Sequence, residues 1–291
     1  MKKKIAFIIN PVSGVTAKGN IEKQINEYLD HSKYDHCIEY TQRHGHATEL
    51  CFSHVERGTD VIIAVGGDGS VNEIAKGIAG TPVVLGIIPG GSGNGLAHHL
   101  KIPKQVRQAI EIINKGKIIR MDTGLINNHL FVSIAGIGFD GLVARKFSGS
   151  RKRGFLTYLR IVTEEYPGYR PRKYTLKFNG TEIKTRALFI TFANSDQFGY
   201  NTSIAPGAQV DDGLIDVTIM KKPMMIELPI LASLLYWRKI DLSKHTEIFK
   251  TSELLLKTRR KRWVNIDGEP VKMKKTIHIK VNPQNLNVIV P

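Results

Sequence analysis

The sequence predicts an α/β protein with two domains, a doubly wound parallel-sheet domain followed by a β-rich, sandwich-like domain. Apolar strand-like runs alternate with helical runs up to about residue 122, and strand-like runs then follow one another mostly without helices. The chain has 291 residues, too many for one minimal domain and enough for two modest ones. Glycine-rich turns also follow several of the early strand-like runs.

The first half alternates strand and helix. Its strand-like runs show little polar alternation, which is typical of parallel strands covered on both faces; they are KIAFIIN, CIEYT, DVIIAVGG and VVLGIIP. The intervening runs carry apolar residues at helical spacing; they are NIEKQINEYLD, ATELCFSHVER, SVNEIAKGIAG and VRQAIEIINKG. Gly116 is a helix stop signal for the last of them.

The second half is dominated by strand-like runs, several of which alternate apolar and polar residues. They are LFVSIAGIG, KYTLKFNG, ALFITFAN, GLIDVTIM, TSELLLKT, RWVNIDGE, TIHIKV and NLNVIV. Two helical stretches interrupt them, GFLTYLRIVTEEY and MMIELPILASLLYWRKI. This pattern predicts antiparallel β-structure. We place the domains at residues 1–125 and 126–291, and the last strand could return to the first domain.

The composition favours a cytoplasmic protein. Cys37 and Cys51 are too few for a disulfide framework, which fits a reducing compartment. The apolar run IAFII near the N-terminus is too short for a signal peptide, and LPILASLLYW falls short of a membrane span.

The basic excess lies in the second half of the chain. The net charge is +16, of which residues 126–291 contribute +13. Such a charge favours contact with an anionic membrane surface, although a solvated basic surface remains open. No nucleic-acid module or zinc spacing accompanies the charge, so we expect no nucleic-acid partner.

Three glycine-rich turns are expected at one edge of the parallel sheet. They are NPVSG (10–14), GGDGS (66–70) and PGGSGNG (89–95). Ligands of open α/β sheets bind at the carboxyl edge, and glycine lets backbone N–H groups approach phosphate oxygens closely. The P-loop pattern and a well-placed dinucleotide fingerprint are both missing from the sequence.

The aspartate in the second turn, Asp68, is a candidate functional residue. A carboxylate beside phosphate is repulsive unless a cation lies between them, so Asp68 suggests a magnesium nucleotide. The alternative is a turn aspartate that accepts hydrogen bonds from nearby backbone N–H groups.

The motifs NPVSG, GGDGSVNE and PGGSGNGLA, in this order, resemble those of the diacylglycerol kinase catalytic-domain family, which includes sphingosine and ceramide kinases. The resemblance continues through MDTG, GIGFDGLV, QVDDGLIDV and NIDGE. It implies an ATP- and Mg²⁺-dependent lipid kinase whose active site lies in the cleft between an α/β domain and a β-rich domain.

The resemblance also implies site residues. The residues implied in nucleotide binding are Asn10, Pro11, Ser13, Gly14, Thr41, Gly66, Gly67, Asp68, Gly69, Ser70, Val71, Asn72, Gly91, Ser92 and Asn94. For magnesium, the implied ligands are the Asp212 carboxylate and the backbone carbonyls of Gln209 and Leu214. Glu269 is the implied proton acceptor, with Asp267 and Asp68 as alternatives. By itself, Asp-Gly between strand-like runs also predicts a hairpin turn.

The chain departs from many bacterial members in its third loop. Gly95 stands where they carry an acid, which leaves any acid–water–magnesium network less complete, and the GSGN form is closer to sphingosine and ceramide kinases. We expect phosphorylation of diacylglycerol to phosphatidic acid, with a sphingoid base or other lipid as the alternative. A soluble-substrate kinase of the NAD type and a non-catalytic nucleotide or lipid sensor are the further alternatives. A homodimer is left open.

Three features outside these motifs have two interpretations each. The histidine pairs HGHA and AHHL are interpreted as surface histidines rather than metal ligands. The stretch MMIELPILASLLYWRKI is interpreted as a helix packed on the β-rich domain, with membrane contact as the alternative. The basic segments SRKRG and TRRKRW fit either lipid headgroups or solvent.

Overall fold

The computed structural model describes residues 1–14, 20–150, 154–199 and 202–291, and it divides into two compact units. The first unit contains Met1–Met121 and Gln284–Pro291, and the second contains Asp122–Pro283. Strands and helices are numbered here in chain order.

A parallel sheet forms the centre of the first unit. Its strands are β1 (Lys3–Ile9), β2 (Tyr34–Tyr40), β3 (Val61–Gly66), β4 (Val84–Pro89) and the C-terminal end of the last strand, β18 (Thr276–Ile289). They are arranged in the order β2-β1-β3-β4-β18, and each neighbouring pair is parallel. Strand β3 is buried along its whole length, as expected for a strand covered on both faces.

The described residues of this unit form five α-helices. They are α1 (Ile21–Tyr28), α2 (His46–Glu56), α3 (Asp68–Ile78), α4 (Gly95–His99) and α5 (Val106–Lys115). Helix α5 buries Ile110 and Ile113 and ends at Gly116, which has a φ of +67°. That left-handed conformation explains why glycine follows the helix. The short α4 was not predicted from the sequence.

The described residues of the second unit form two larger antiparallel sheets and a small two-stranded sheet. Its strands are β5 (Ile118–Ile126), β6 (His129–Phe131), β7 (Ile134–Gly138), β8 (Arg172–Phe178), β9 (Thr181–Ala187), β10 (Phe189–Ala193), β11 (Gln197–Gly199), β12 (Thr202–Ser203), β13 (Ile215–Met220), β14 (Thr246–Thr251), β15 (Glu253–Thr258), β16 (Arg262–Ile266) and β17 (Glu269–Met273), followed by the first part of β18. One sheet has the order β14-β13-β10-β7-β16-β17, and the other contains β18-β15-β8-β9. Strand β5 begins in the first unit and continues into the second.

The two sheets of the second unit share a hydrophobic core. Ile137, Phe192 and Val217 from one sheet pack in the same cluster as Leu176 and Leu256 from the other. All five side chains are fully buried. The unit is therefore a β-sandwich, and the predicted fold class is confirmed.

In the described part of this unit, three α-helices cover a second hydrophobic core. They are α6 (Phe139–Ser148), α7 (Phe155–Glu165) and α8 (Leu228–Tyr236), with short 3₁₀ turns at Met225–Glu227 and Ile240–Leu242. Helix α6 was not predicted. The prediction of two separate strands, TIHIKV and NLNVIV, was wrong, because both runs belong to the single long strand β18.

Within the described ranges, every helix is too short or too polar to cross a membrane.

Candidate active site

The loops of the first unit leave the carboxyl ends of adjacent parallel strands. Asn10–Gly14 follows β1, the segment 66–70 follows β3, and the segment 89–95 follows β4. Thr41 follows β2, and its backbone N–H donates to the Ile9 carbonyl at 2.9 Å. The parallel pairing of β2, β1, β3 and β4 therefore brings the predicted nucleotide residues to one sheet edge.

Backbone contacts lock the three glycine loops together. The Gly14 N–H donates to the Gly90 carbonyl at 2.9 Å, and the Gly90 N–H donates to the Gly66 carbonyl at 2.6 Å. A Cβ atom on Gly91 would lie 2.5 Å from the Gly67 Cα, so the second and third loops approach too closely for any side chain there. The glycines are thus required by the packing of one loop on another.

Two asparagines fix the shapes of these loops. Asn94 is buried with a φ of +52°, and its side chain accepts from the Gly91 N–H at 2.9 Å and donates to the Gly91 carbonyl at 2.7 Å. Asn10 accepts from the Val12 N–H at 3.1 Å and donates to the Ser70 hydroxyl at 3.4 Å. Both residues therefore support the loop backbone.

Asp68 joins the second loop to the third. One carboxylate oxygen accepts from the Asn94 N–H at 2.8 Å, and the other accepts from the Gly95 N–H at 2.7 Å. Burial raises the pKa of Asp68, and the N–H donors of Gly95 and Asn94 oppose part of that rise. Asp68 thus accepts hydrogen bonds from backbone N–H groups, as the turn-aspartate alternative predicted. The donors, however, belong to the third loop and not to the turn that contains Asp68.

Helix α3 begins at Asp68, so its first N–H groups face the same sheet edge. A Cβ atom on Gly69 would meet nothing within 4 Å, which leaves open space beside this helix terminus. Such a terminus suits an anionic phosphate group. The other predicted nucleotide residues divide by burial: Val71, Asn72 and Ser13 are buried, whereas Pro11 and Ser92 are exposed.

Glu73, the last residue of GGDGSVNE, holds the segment after Thr41. Its carboxylate accepts from the backbone N–H groups of Gly45 at 2.9 Å and Ala47 at 3.2 Å, at the start of α2. It also contacts His44 Nδ1 at 2.7 Å. No role was predicted for Glu73, because a residue that caps a different helix leaves no local spacing signal.

The predicted catalytic carboxylates of the second unit lie at the β16–β17 hairpin. Asp267 and Gly268 form its turn, with φ values of +47° and +92°, so the Asp-Gly hairpin signal is confirmed. The buried Asp267 carboxylate accepts from the backbone N–H groups of Val132 at 2.7 Å, Ser133 at 3.0 Å and Ile134 at 2.9 Å. Asp267 therefore anchors the backbone that leads into β7.

Glu269 is the first residue of β17 and is half-buried. Its cross-strand partner is Ile266. The preceding turn is held by Asn265, whose side-chain oxygen accepts from the Gly268 N–H at 2.9 Å. The position of Glu269 thus depends on the conformation of this turn.

Asp140 of α6 contacts Asn265 of the β16–β17 hairpin and was not predicted as a site residue. Its carboxylate accepts from the Asn265 side chain, and burial raises its pKa to about 6, against the opposing effect of that hydrogen bond. A Cβ atom on Gly136 would lie 1.9 Å from the Asp140 carboxylate, so glycine is required there. The motif GIGFDGLV contains both residues, but their contact is visible only in the folded chain.

The predicted magnesium loop carries a lysine contact. Asp212 accepts from the Leu214 N–H at 3.0 Å through one oxygen and from Lys250 Nζ at 2.7 Å through the other. The buried Asp122 accepts from the Gly213 N–H at 2.7 Å. Because an ammonium group already contacts the Asp212 carboxylate, the residues as arranged do not fit a resident divalent cation.

An apolar surface lies on and before α8. Leu228, Leu231, Leu234 and Leu235 pack against the second core, which confirms the predicted packing of this helix. The opposite side carries exposed apolar side chains, among them Ile226, Ile230 and Trp237 at 82%, 65% and 67%. Residues 151–153 of the basic segment SRKRG fall outside the described residues.

Comparison with known proteins matches one family model to each half of the chain. Residues 4–126 match the family described as "Diacylglycerol kinase catalytic domain", and residues 133–290 match the "YegS C-terminal NAD kinase beta sandwich-like domain". A diacylglycerol kinase from Mycobacterium tuberculosis (strain ATCC 25618 / H37Rv) is 32% identical over 74% of this chain and 72% of its own length. One from Bacillus subtilis (strain 168) is 26% identical over 92% of this chain and 90% of its own.

A solved structure shows the same fold. The crystal structure of a diacylglycerol kinase from Bacillus anthracis str. Sterne superposes with a TM-score of 0.78 at 21% identity, covering 99% of this chain and 97% of that one. The fold and the matched families define the protein as a lipid kinase. The chain belongs to the diacylglycerol kinase family, which confirms the resemblance found in its motifs.

Proposed function

We propose that the protein transfers the γ-phosphoryl group of ATP to the hydroxyl of a membrane lipid, with diacylglycerol as substrate and phosphatidic acid as product. The observation that carries this proposal is the set of interlocked glycine loops at one sheet edge, beside the N-terminus of α3. Backbone N–H groups in such loops bind phosphate oxygens, and phosphoryl transfer depends mainly on positioning and charge neutralisation. The names of the relatives support diacylglycerol as the acceptor.

Magnesium would accompany ATP, because the charge on its phosphates needs a cation during transfer. The residues we assign to the nucleotide are those predicted in the three glycine loops and at the start of α3, together with Thr41 after β2. Asp68 supports them by holding the third loop through the N–H groups of Asn94 and Gly95. We therefore assign Asp68 to nucleotide binding rather than to proton transfer.

We assign Glu269 as the proton acceptor. Asp267 and Asp68 each use their carboxylate oxygens to accept backbone N–H groups, which makes them supports of the fold. In the proposed step the lipid hydroxyl oxygen attacks the γ-phosphorus, and the bond from that phosphorus to the ADP oxygen breaks. The hydroxyl proton passes to the Glu269 carboxylate.

The site of action we propose is the cytoplasmic face of an anionic membrane. The exposed apolar side chains of Ile226, Ile230 and Trp237 would enter the headgroup region, as interfacial helices do. Exposed Lys239 and the basic excess of residues 126–291 would add electrostatic attraction.

A lipid screen tests the function. Purified protein is incubated with labelled ATP and a total lipid extract, and in parallel with diacylglycerol, a sphingoid base and NAD as single acceptors. Label in phosphatidic acid supports the proposal. Label only in a sphingoid phosphate would change the lipid class, and label only in NAD would support a soluble-substrate kinase. ATP binding without transfer to any acceptor would contradict the assignment of activity.

A further inference from the structure

The Lys250 ammonium group contacts three oxygen acceptors, two in the loop after β12 and one on β13. Its ammonium nitrogen lies 2.7 Å from an Asp212 carboxylate oxygen, 3.0 Å from the Gly207 carbonyl and 3.4 Å from an Asp216 carboxylate oxygen. Two carboxylates and a carbonyl are the kind of oxygen set that a hard metal cation also prefers. In this protein the set surrounds an ammonium group.

The strand register fixes this lysine in place. Asp216 lies on β13 and Lys250 on β14, and the two residues are directly opposite each other in the antiparallel pair. Directly opposed residues project to the same face and interact. Lys250 is therefore held beside Asp216 by backbone pairing and reaches the loop from that position.

The charges require a cation at this point. The Asp216 side chain is 4% exposed and that of Asp212 is 18% exposed, so both carboxylates are largely withdrawn from water. Buried carboxylates are unfavourable unless a positive charge or hydrogen-bond donors compensate them. Lys250 supplies one positive charge, donates hydrogen bonds to the Gly207 carbonyl and Asp212, and forms an ion pair with Asp216.

A magnesium ion and this ammonium group compete for the same oxygen. Magnesium binds oxygen ligands at roughly 2.0–2.1 Å and demands near-octahedral geometry. It could bind the Asp212 oxygen that Lys250 contacts only if Lys250 moved away.

We propose that the Lys250 ammonium group takes the place of a resident divalent cation in the Gly207–Leu214 loop, so that this loop keeps its conformation without magnesium. The inference goes beyond the proposed function and does not depend on it.

Thermal unfolding of the protein without nucleotide or lipid tests this inference. The midpoint is measured in chelator and in a series of magnesium concentrations for the wild type, Lys250→Met, Asp212→Asn and the double variant. Lys221→Met is the matched control, since Lys221 directly follows β13 and pairs with Glu247 of β14, with no second carboxylate paired to it among the described residues. We expect an unchanged midpoint for the wild type and for Lys221→Met when magnesium is added.

Lys250→Met should unfold roughly 3–6 °C lower in chelator and recover with magnesium, because two uncompensated carboxylates then attract a divalent ion. Asp212→Asn in the same background should abolish the recovery. A wild-type midpoint that rises with magnesium, and loses this rise in Asp212→Asn, would overturn the inference. A Lys250→Met variant as stable as the wild type in chelator would overturn it as well.

If Lys250→Met does not fold, Lys250→Arg keeps the positive charge and replaces it in the experiment. Midpoints of the wild type and of Lys250→Arg that are both insensitive to magnesium support the inference. A magnesium response of the wild type that depends on Asp212 contradicts it.

Discussion

Asn265 donates its side-chain amide to both carboxylate oxygens of Asp140, at 3.1 and 3.2 Å. The same Asn265 accepts from the Gly268 N–H in the turn before Glu269. One amide thus connects a buried acid to the hairpin that carries the proposed proton acceptor.

The first prediction concerns the pH dependence of stability. The folded state raises the pKa of Asp140 to about 6, so it binds the proton more tightly than the unfolded state does. The free energy of unfolding should therefore fall as the pH rises from about 4 to about 6, by roughly 3 kcal/mol from this group. Asp140→Asn cannot ionise and should lack this fall. Urea unfolding of both proteins across this range measures the difference, and parallel curves would refute the prediction.

The sequence predicted the fold because its signals are local. Helical spacing, apolar strands and glycine turns identified the parallel sheet, the sandwich and the three loops that the structure brings to one edge. The contacts that support the site could not be predicted in this way. Asn265 and Asp140 are 125 residues apart, and Lys250 meets Asp216 only through strand register.

Helix α6 illustrates a different limit. Its first residue follows the buried strand β7 directly, and the apolar run of LFVSIAGIG leads into it without a turn signal apart from glycine. Gly138, with a φ of +102°, makes that change of direction possible. A glycine inside an apolar run does not by itself distinguish a strand end from a strand interior, so the helix was missed.

The second prediction concerns Asp68. The Asp68 carboxylate accepts hydrogen bonds from two backbone N–H groups. In Asp68→Asn, the side-chain NH₂ would face one of these donors and could not accept its hydrogen bond. The third loop should loosen, and ATP affinity should fall roughly 10- to 100-fold. Calorimetric titration with ATP measures this, with Asp35→Asn as control because Asp35 is an exposed acid of the same unit. Equal affinity of Asp68→Asn and wild type would remove Asp68 from the nucleotide site.

The third prediction concerns the proton acceptor. Glu269→Gln keeps the shape of the side chain and removes its basic carboxylate. Turnover should fall roughly 10²- to 10⁴-fold, with little change in ATP affinity. Steady-state kinetics and nucleotide titration on the same preparation separate the two effects.

Asp267→Asn is the control for that experiment. Because its carboxylate holds three backbone N–H groups, the loss should appear mainly as a lower unfolding temperature. Normal turnover in Glu269→Gln, together with a stable but inactive Asp267→Asn, would move the role of base to Asp267.

The fourth prediction concerns membrane contact. Binding to anionic vesicles should weaken steeply as salt rises, since each basic residue near the surface contributes about 1 kcal/mol. Trp237→Ser should bind vesicles more weakly than the wild type at the same salt concentration. Phe52→Ser, which alters an exposed aromatic residue in the first unit, should bind as the wild type does. Vesicle sedimentation measures both effects. Equal binding to neutral and anionic vesicles at all salt concentrations would leave the basic charge without a lipid partner.

The most direct measurement of the proposed activity uses purified protein, γ-labelled ATP and diacylglycerol in mixed micelles. We predict label in an organic-soluble product that co-migrates with phosphatidic acid, formed in proportion to enzyme and greatly reduced in Glu269→Gln. A folded wild-type protein that binds magnesium ATP and leaves diacylglycerol unlabelled would contradict the assignment.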